Sequence, residues 1–327
     1  MTNDRRGTRR IWSALGLAVY CLIFSVIGFL GFELAVRVAA PEINTQGIER
    51  HLFRNGVFGT TRGLAANAIG SAFGALVHTD DHGFIALPGA PAQYQESWLI
   101  LGDSVTFGLG VAAGSTFPGL LQTERPDVKI WNAAVPGYSA LDYENVISAL
   151  SKDLAFDRVL MFWCLNDVVA IPPPSVKREF SVQNKVRAFL KTYSKAYAWV
   201  KDVFFDLKQV HFEGDLAHYR KADNLARTAS ALKTIRDLLA KKSIPMTVFI
   251  LPYEYQLRGL EGVSLLPQET IGQILTDLGL PFYDIQPYLL QHTVDSDALF
   301  LTADGLHFTK QGHKLIFDFI RRSLNSE

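Results

Sequence analysis

Ile11–Phe32 runs for 22 residues without one charged side chain. A helix of that length crosses a hydrocarbon core of about 30 Å. Arg5, Arg6, Arg9 and Arg10 precede it against a single acid, Asp4. Arginines on that flank hold the N-terminus in the cytoplasm and send the remainder to the outer side. A cleaved signal peptide usually has an apolar stretch of only about 7–15 residues. Val38-Ala39-Ala40 resembles a cleavage site, but Pro41 follows and disfavours cutting there. The expectation is therefore a cytoplasmic basic tail over residues 1–10 and an uncleaved anchor over residues 11–32. Glu33–Pro41 continues the helix out of the membrane until Pro41 stops it. The expected location is the cell (inner) membrane, single-pass, with the remaining domain extracytoplasmic or periplasmic.

The rest of the chain is long enough for a sizeable core without disulfides or structural metal. Lys plus Arg and Asp plus Glu both number 32, so the chain lacks the basic surplus of a nucleic-acid binder. Cys21 lies in the apolar run and Cys164 at a strand end, too far apart in pattern for a disulfide.

Residues 33–90 read as a membrane-proximal extension. Its stretch Glu42–Gly74 is irregular, and no secondary structure is assigned to it. From residue 91 an α/β rhythm begins. Trp98–Leu101 is a short apolar run that reads as a buried strand, and Val128–Trp131, Arg158–Trp163, Met246–Leu251 and Pro281–Ile285 read as four further strands. Between them lie helical patterns. Thr116 caps one, with Pro118 in its first turn. Ser139 and Asp142 open another as a capping box. Leu225, Ala229, Leu232, Ile235 and Leu239 form an apolar stripe. A helix near Gln268–Leu278 closes at Gly279, and His313–Leu324 is the last. Strands separated by helices imply a parallel sheet covered on both faces, with ligands at the carboxyl strand ends. Residues 170–222 interrupt the rhythm and read as an insertion beside that edge.

Unusual residues gather at the same edge. Gly102-Asp103-Ser104 leaves the first strand and presents a serine. Gly137, beyond the second strand, lets a backbone N–H approach an anion because no Cβ intervenes. Asn166, with Asp167, ends the third strand and can donate to a developing oxyanion. Asp304 and His307 stand three residues apart before the last helix. There the histidine can take a serine proton while the aspartate fixes its tautomer. Each piece alone has an ordinary reading as a turn or a helix cap. Tyr253, Glu254 and Gln256 follow the fourth strand and are candidate substrate contacts. His78 and His82 are too weak a pair to argue for metal. Asp103 reads as a turn-former, and His313 as structural.

Together LGDSVTFGLG, NAAVPGYS, FWCLNDV and DGLHFTKQGH resemble the SGNH hydrolases, also called GDSL esterases and lipases, in the family's order. The resemblance implies a three-layer α/β/α sandwich with a five-stranded parallel sheet of flavodoxin-like type, over residues 91–327. It implies Ser104 as nucleophile, with Asp304 and His307 completing the triad. It also implies an oxyanion hole from the amides of Ser104 and Gly137 and the Asn166 side chain. Cys164 departs from the family pattern, which has glycine there; a small buried hydrophobe is its expected role.

The implied chemistry is acyl transfer through an acyl-serine, with no cofactor. The substrate would be an acetylated glycan, a lipid or another small ester, and water the acceptor. Alternatively the chain is an O-acyltransferase for an exported polysaccharide, supplied by a membrane acyl-donor partner. A catalytically silent carbohydrate-binding or scaffold module is the third reading, disfavoured by the complete residue set. With His307 as base at an unperturbed pKa, activity falls around pH 6–7.

Overall fold

A computed structural model describes residues 4–168 and 182–325, with side chains from residue 15 onward. The first three residues and the start of the expected insertion, 170–181, lie outside the described residues. Helix α1 (Asp4–Ala39) is a single 36-residue helix. Its segment Leu15–Ala39 has a mean hydropathy of 2.3 and is the one described helix long and apolar enough to cross a membrane. Pro41 stands just beyond its end, where a missing N–H and a fixed φ stop a helix.

The extension is structured. Strands β1 (Phe53–Phe58) and β2 (Thr61–Leu64) form one antiparallel hairpin, and β3 (Ile69–Ala72) and β4 (Ala75–His78) another. The second turns on two residues, Phe73 and Gly74, both with positive φ. That is the geometry matching strand twist in a two-residue loop. The extension buries Leu52, Phe58, Leu64, Phe84 and Ile85 in the same core as the sheet. Ile85 donates its N–H to the Asn132 carbonyl at 3.0 Å, so the extension is stitched to a sheet edge.

The main domain then runs β5 (Glu96–Leu101), α2 (Ser104–Phe107), α3 (Phe117–Glu124), β6 (Val128–Asn132), α4 (Ala140–Asp153) and β7 (Arg158–Trp163). After the gap come α5 (Val182–Tyr193), α6 (Lys195–Phe204), α7 (Leu207–Tyr219), α8 (Ala222–Ala240) and β8 (Met246–Ile250). The chain closes with α9 (Leu266–Asp277), β9 (Phe282–Asp284), α10 (Gln286–His292) and α11 (Lys310–Leu324). The five strands are parallel, in the order β6-β5-β7-β8-β9.

The winding explains the layers. The step from β5 to β6 moves toward one edge, and every later step moves toward the other. Right-handed crossovers then put α3 on one face and α4, α8 and α9 on the opposite one. Accordingly α4 packs on α8, while α11 returns to pack on α3. The reversal between β6 and β7, on either side of β5, leaves a crevice at the carboxyl end of β5, where such sheets bind ligands. Strands buried on both faces read as continuous apolar runs: Trp98–Leu101 and Val159–Trp163 are all buried. The capping box at Ser139–Asp142 and the Thr116 cap are both present.

Candidate active site

Ser104 opens α2 directly after β5. Its turn is tight enough that a Cβ on Gly102 would lie 2.0 Å from the Thr106 hydroxyl oxygen, so only glycine fits. Asp103 caps α2, accepting the Val105 N–H at 2.8 Å. Asp304 and His307 lie in the loop before α11. The Asp304 Oδ1 accepts from the N–H groups of Leu306 at 3.0 Å and His307 at 2.8 Å, folding the loop around the carboxylate.

These elements bring three side chains into line. His307 Nε2 lies 2.7 Å from Ser104 Oγ, and His307 Nδ1 lies 2.8 Å from Asp304 Oδ1. A carboxylate beside Nδ1 fixes the proton there, leaving the Nε2 lone pair for the serine hydroxyl. Burial works against a charged His307, but the Asp304 carboxylate and its hydrogen bond outweigh that and raise the pKa above 6.5. The same pairing, against the opposing cost of burial, holds Asp304 at about 2. The arrangement can move a proton from Ser104 to His307 with Asp304 remaining ionised.

A second carboxyl group adjoins the serine. Asp103 Oδ2 lies 3.1 Å from Ser104 Oγ and accepts from Asn166 Nδ2 at 3.3 Å. Asp103 is therefore more than a turn-former: it touches both the serine and the asparagine. Its complete burial pushes its pKa up, against the hydrogen bond from Val105 and the attraction of His307. An Asn amide carries two N–H groups. One is committed to Asp103, which leaves the second to donate elsewhere. Gly137, at φ 81°, sits in the loop after β6. Arg62 of β2 reaches the Pro136 carbonyl, and the Tyr138 hydroxyl donates to the Arg62 carbonyl at 2.5 Å, so the extension braces that loop on both sides of Gly137.

Asp167 is turned away, accepting from the Tyr143 hydroxyl at 2.8 Å and the Cys164 N–H at 2.9 Å. Cys164 is fully buried, and burial, with Asp103 and Asp167 nearby, pushes its thiol well up. A thiol so held does not form a nucleophilic thiolate at neutral pH.

Tyr253, Glu254 and Gln256 are buried and committed to protein partners. The Tyr253 hydroxyl donates to Asp215 at 2.6 Å, Glu254 pairs with Arg258 at 2.9 Å, and Gln256 donates to Gln268 at 3.0 Å. The structure does not bring these side chains to Ser104. The Glu254 N–H instead donates to the Gly305 carbonyl at 2.9 Å, supporting the loop that holds Asp304. Among the described residues no cluster of three or more metal-ligating side chains occurs, and His78 and His82 form no such group.

Three contacts were not readable from sequence. Gln46 Nε2 donates to Asp304 Oδ2 at 3.4 Å. The Phe73 ring meets the His307 ring edge-on, 5.4 Å between centroids. Phe73 does so from φ 51°, a conformation unfavourable for a bulky side chain. Asp202 of α6 accepts the N–H of Ala303, beside Asp304, at 2.9 Å. The strained hairpin tip of the extension and the insertion thus both close over the triad loop. Ser104 and His307 retain only 8 % and 9 % exposure.

The fold and this site together define a parallel α/β domain that presents a Ser–His–Asp line at the carboxyl edge of its sheet. The sequence matches the GDSL-like lipase/acylhydrolase family over residues 100–315, and the chain belongs to that family. Membership supports a hydrolase or esterase. No curated protein matches the chain. Among solved structures, the psychrotrophic esterase EstA from Pseudoalteromonas is 16 % identical, covering 71 % of this chain and 98 % of its own, at a TM-score of 0.42. The lipase/acylhydrolase from Enterococcus faecalis is 16 % identical over 71 % of this chain and 96 % of its own, at 0.41. The acetyl xylan esterase AlAXEase is 14 % identical over 69 % and 98 %, at 0.42.

Proposed function

We propose that the chain is a membrane-anchored serine esterase or deacylase working through Ser104, His307 and Asp304. The observation that carries this reading is the unbroken Ser104–His307–Asp304 hydrogen-bonded line, 2.7 and 2.8 Å long in its two links. In the first step Ser104 Oγ bonds to the ester carbonyl carbon as His307 Nε2 takes its proton. The amides of Ser104 and Gly137 and the free N–H of Asn166 receive the oxyanion. The C–O bond to the alcohol breaks, His307 returns its proton to that alcohol, and an acyl-serine remains. Water, activated by the same histidine, then releases the acid. No cofactor enters the scheme.

The anchor is α1, with the arginines before it on the cytoplasmic side and the catalytic domain outside. The substrate is an ester on that side, with an O-acetylated glycan the leading class. A second reading, O-acyl transfer to an exported polysaccharide with acyl groups from a membrane partner, is favoured by one observation. α6 packs against α1 and also accepts from the loop of Asp304, which joins the anchor to the site.

The test is hydrolysis of a chromogenic acetyl ester by the full chain in detergent, beside Ser104→Ala. The rate should fall by about 10⁴-fold or more in the variant. Equal rates in the two folded proteins would sink the serine mechanism. Acyl transfer to an added glycan that exceeds hydrolysis would move the assignment to the transferase.

A further inference from the structure

The insertion helices leave an apolar surface that no chemistry above uses. On α5, Val182, Val186, Phe189 and Tyr193 follow one another at spacings of four, three and four, and each is more than half exposed. Such spacing places them on one helical stripe. Phe204 and Phe205, at the end of α6, are 71 % and 61 % exposed.

The position of this surface relative to α1 is fixed by contacts. Val36 of α1 and Ile43 are buried with Ala196 and Ala198 of α6 in a small separate core. Glu33 caps α6, accepting from Ser194 Oγ at 2.7 Å and from the N–H groups of Lys195 and Ala196 at 3.0 Å. One contact reaches into the uncharged run itself: the rings of Phe32 and Trp199 meet edge-on at 5.7 Å. If α1 spans a bilayer, Trp199 stands at its surface, the depth that Trp favours. The charges agree. Lys185, Arg187, Lys191, Lys195 and Lys201 are the cations of α5 and α6, against a single acid, Asp202. That acid is turned inward to the Ala303 N–H. A basic helix pair with an exposed aromatic and aliphatic stripe matches a helix lying in an anionic lipid interface.

We infer that α5, α6 and the Phe204-Phe205 corner dock on the surface of an anionic phospholipid bilayer, holding the catalytic edge at headgroup height. Asp202, one turn beyond Trp199 on α6, ties that surface to the loop carrying Asp304. The inference rests on the reading of α1 as a membrane anchor, and its test separates the two.

Single cysteines are placed in a Cys21→Ser background of the full chain, whose other cysteine, Cys164, is buried. The variants are Leu22→Cys, Phe189→Cys and Phe204→Cys, each carrying an environment-sensitive fluorophore. All are put into nanodiscs of phosphatidylethanolamine and phosphatidylglycerol, with quencher lipids labelled either shallow or deep in the acyl chain. All three replaced side chains are exposed, so the labels need not disturb the core. Emission at 189 and 204 should fall at least about twofold with the shallow quencher, and emission at 22 with the deep one. Quenching at 22 alone would overturn the surface, because the stripe would then face water or a protein partner, and would leave the anchor standing. Quenching at 189 and 204 but not at 22 would remove the anchor, and with it the height assigned to Trp199 and the catalytic edge, so the inference would fall with its premise.

Discussion

His307 and His313 stand six residues apart, both buried, and their surroundings drive them in opposite directions. His307, in the loop before α11, faces the Asp304 carboxylate, and its pKa is raised. His313, one turn into α11, is enclosed by Phe117 and Phe308, and burial takes it down to about 3. Its Nδ1 accepts the Phe117 N–H at 3.3 Å, as only a neutral ring can. Burial penalises the charged ring at both places. A carboxylate within hydrogen-bond reach reverses the outcome at one of them. The difference separates a histidine equipped to exchange protons from one that is packing material.

The largest effect should come from erasing that difference. Asp304→Asn keeps the shape but removes the charge, leaving His307 closer to the condition of His313. Removing the corresponding carboxylate from a Ser–His–Asp triad lowers kcat by about 10⁴. Ester turnover by the folded variant should fall on that order, with its pH midpoint moved down. A rate within tenfold of the parent would show that Asp304 does not govern His307.

The complementary change, His313→Ala, should act on stability instead. It opens a cavity in the α3–α11 contact and leaves the buried Phe117 N–H unpaired, at a cost of about 2–4 kcal/mol. Chemical denaturation measures the loss. The kcat of the folded fraction should stay within a few-fold of the parent. A kcat collapse without a stability change would give His313 a part in catalysis.

The pH–rate profile sharpens the same contrast. The unperturbed value that the sequence suggests puts the acid limb at pH 6–7. With His307 raised, the midpoint of kcat/KM in the free enzyme should lie above 6.5. The rate is full above that midpoint and is lost as pH falls through it, because the protonated base cannot accept the Ser104 proton. A midpoint below 6.5 would contradict the Asp304 pairing. No limb assignable to His313 should appear between pH 5 and 8.

How much of this was legible in the sequence follows from how local each signal is. The central strands are recognisable because strands buried on both faces are continuous apolar runs, as in Val159–Trp163. Ser104, Asp304 and His307 stand out through four motifs whose order resembles the SGNH family, since each residue alone also reads as part of a turn or a cap. The hairpins of residues 53–78 carry no such signal. Their strands are short, with glycine inside β1, β2 and β3, and their partners include the distant helix α4 and the loop after β6. Gln46 reaches Asp304 across 258 residues, a pairing that no spacing announces. Phe73 at a positive φ runs against turn preference, so its local signal points the wrong way. Tyr253, Glu254 and Gln256 do follow a strand at the right edge, but their side chains are spent on Asp215, Arg258 and Gln268. Position along the chain locates a backbone; it does not say which way a side chain faces.

The smallest effect expected is in the pH dependence of stability, and its sign is what tests the comparison. An unfolded His313 titrates near 6.5, while the folded one titrates at about 3. Its contribution to stability is therefore complete above pH 6.5 and erodes as pH falls toward 3, because the unfolded chain takes up a proton that the native state refuses. His307 works the other way: its contribution is complete below 6.5 and is lost as pH rises through its raised folded value. Asp304, at about 2 in the fold, loses its contribution only as pH falls below the ordinary carboxylate range toward that value. Between pH 6 and 4.5 both partners of the triad pair hold their charges, so His313 supplies the slope that separates parent from His313→Ala. Stability of the parent minus that of the variant should decline with falling pH there, approaching about 1.4 kcal/mol per pH unit. A difference that stays flat would mean that His313 is protonated inside the fold, and the contrast between the two histidines would collapse.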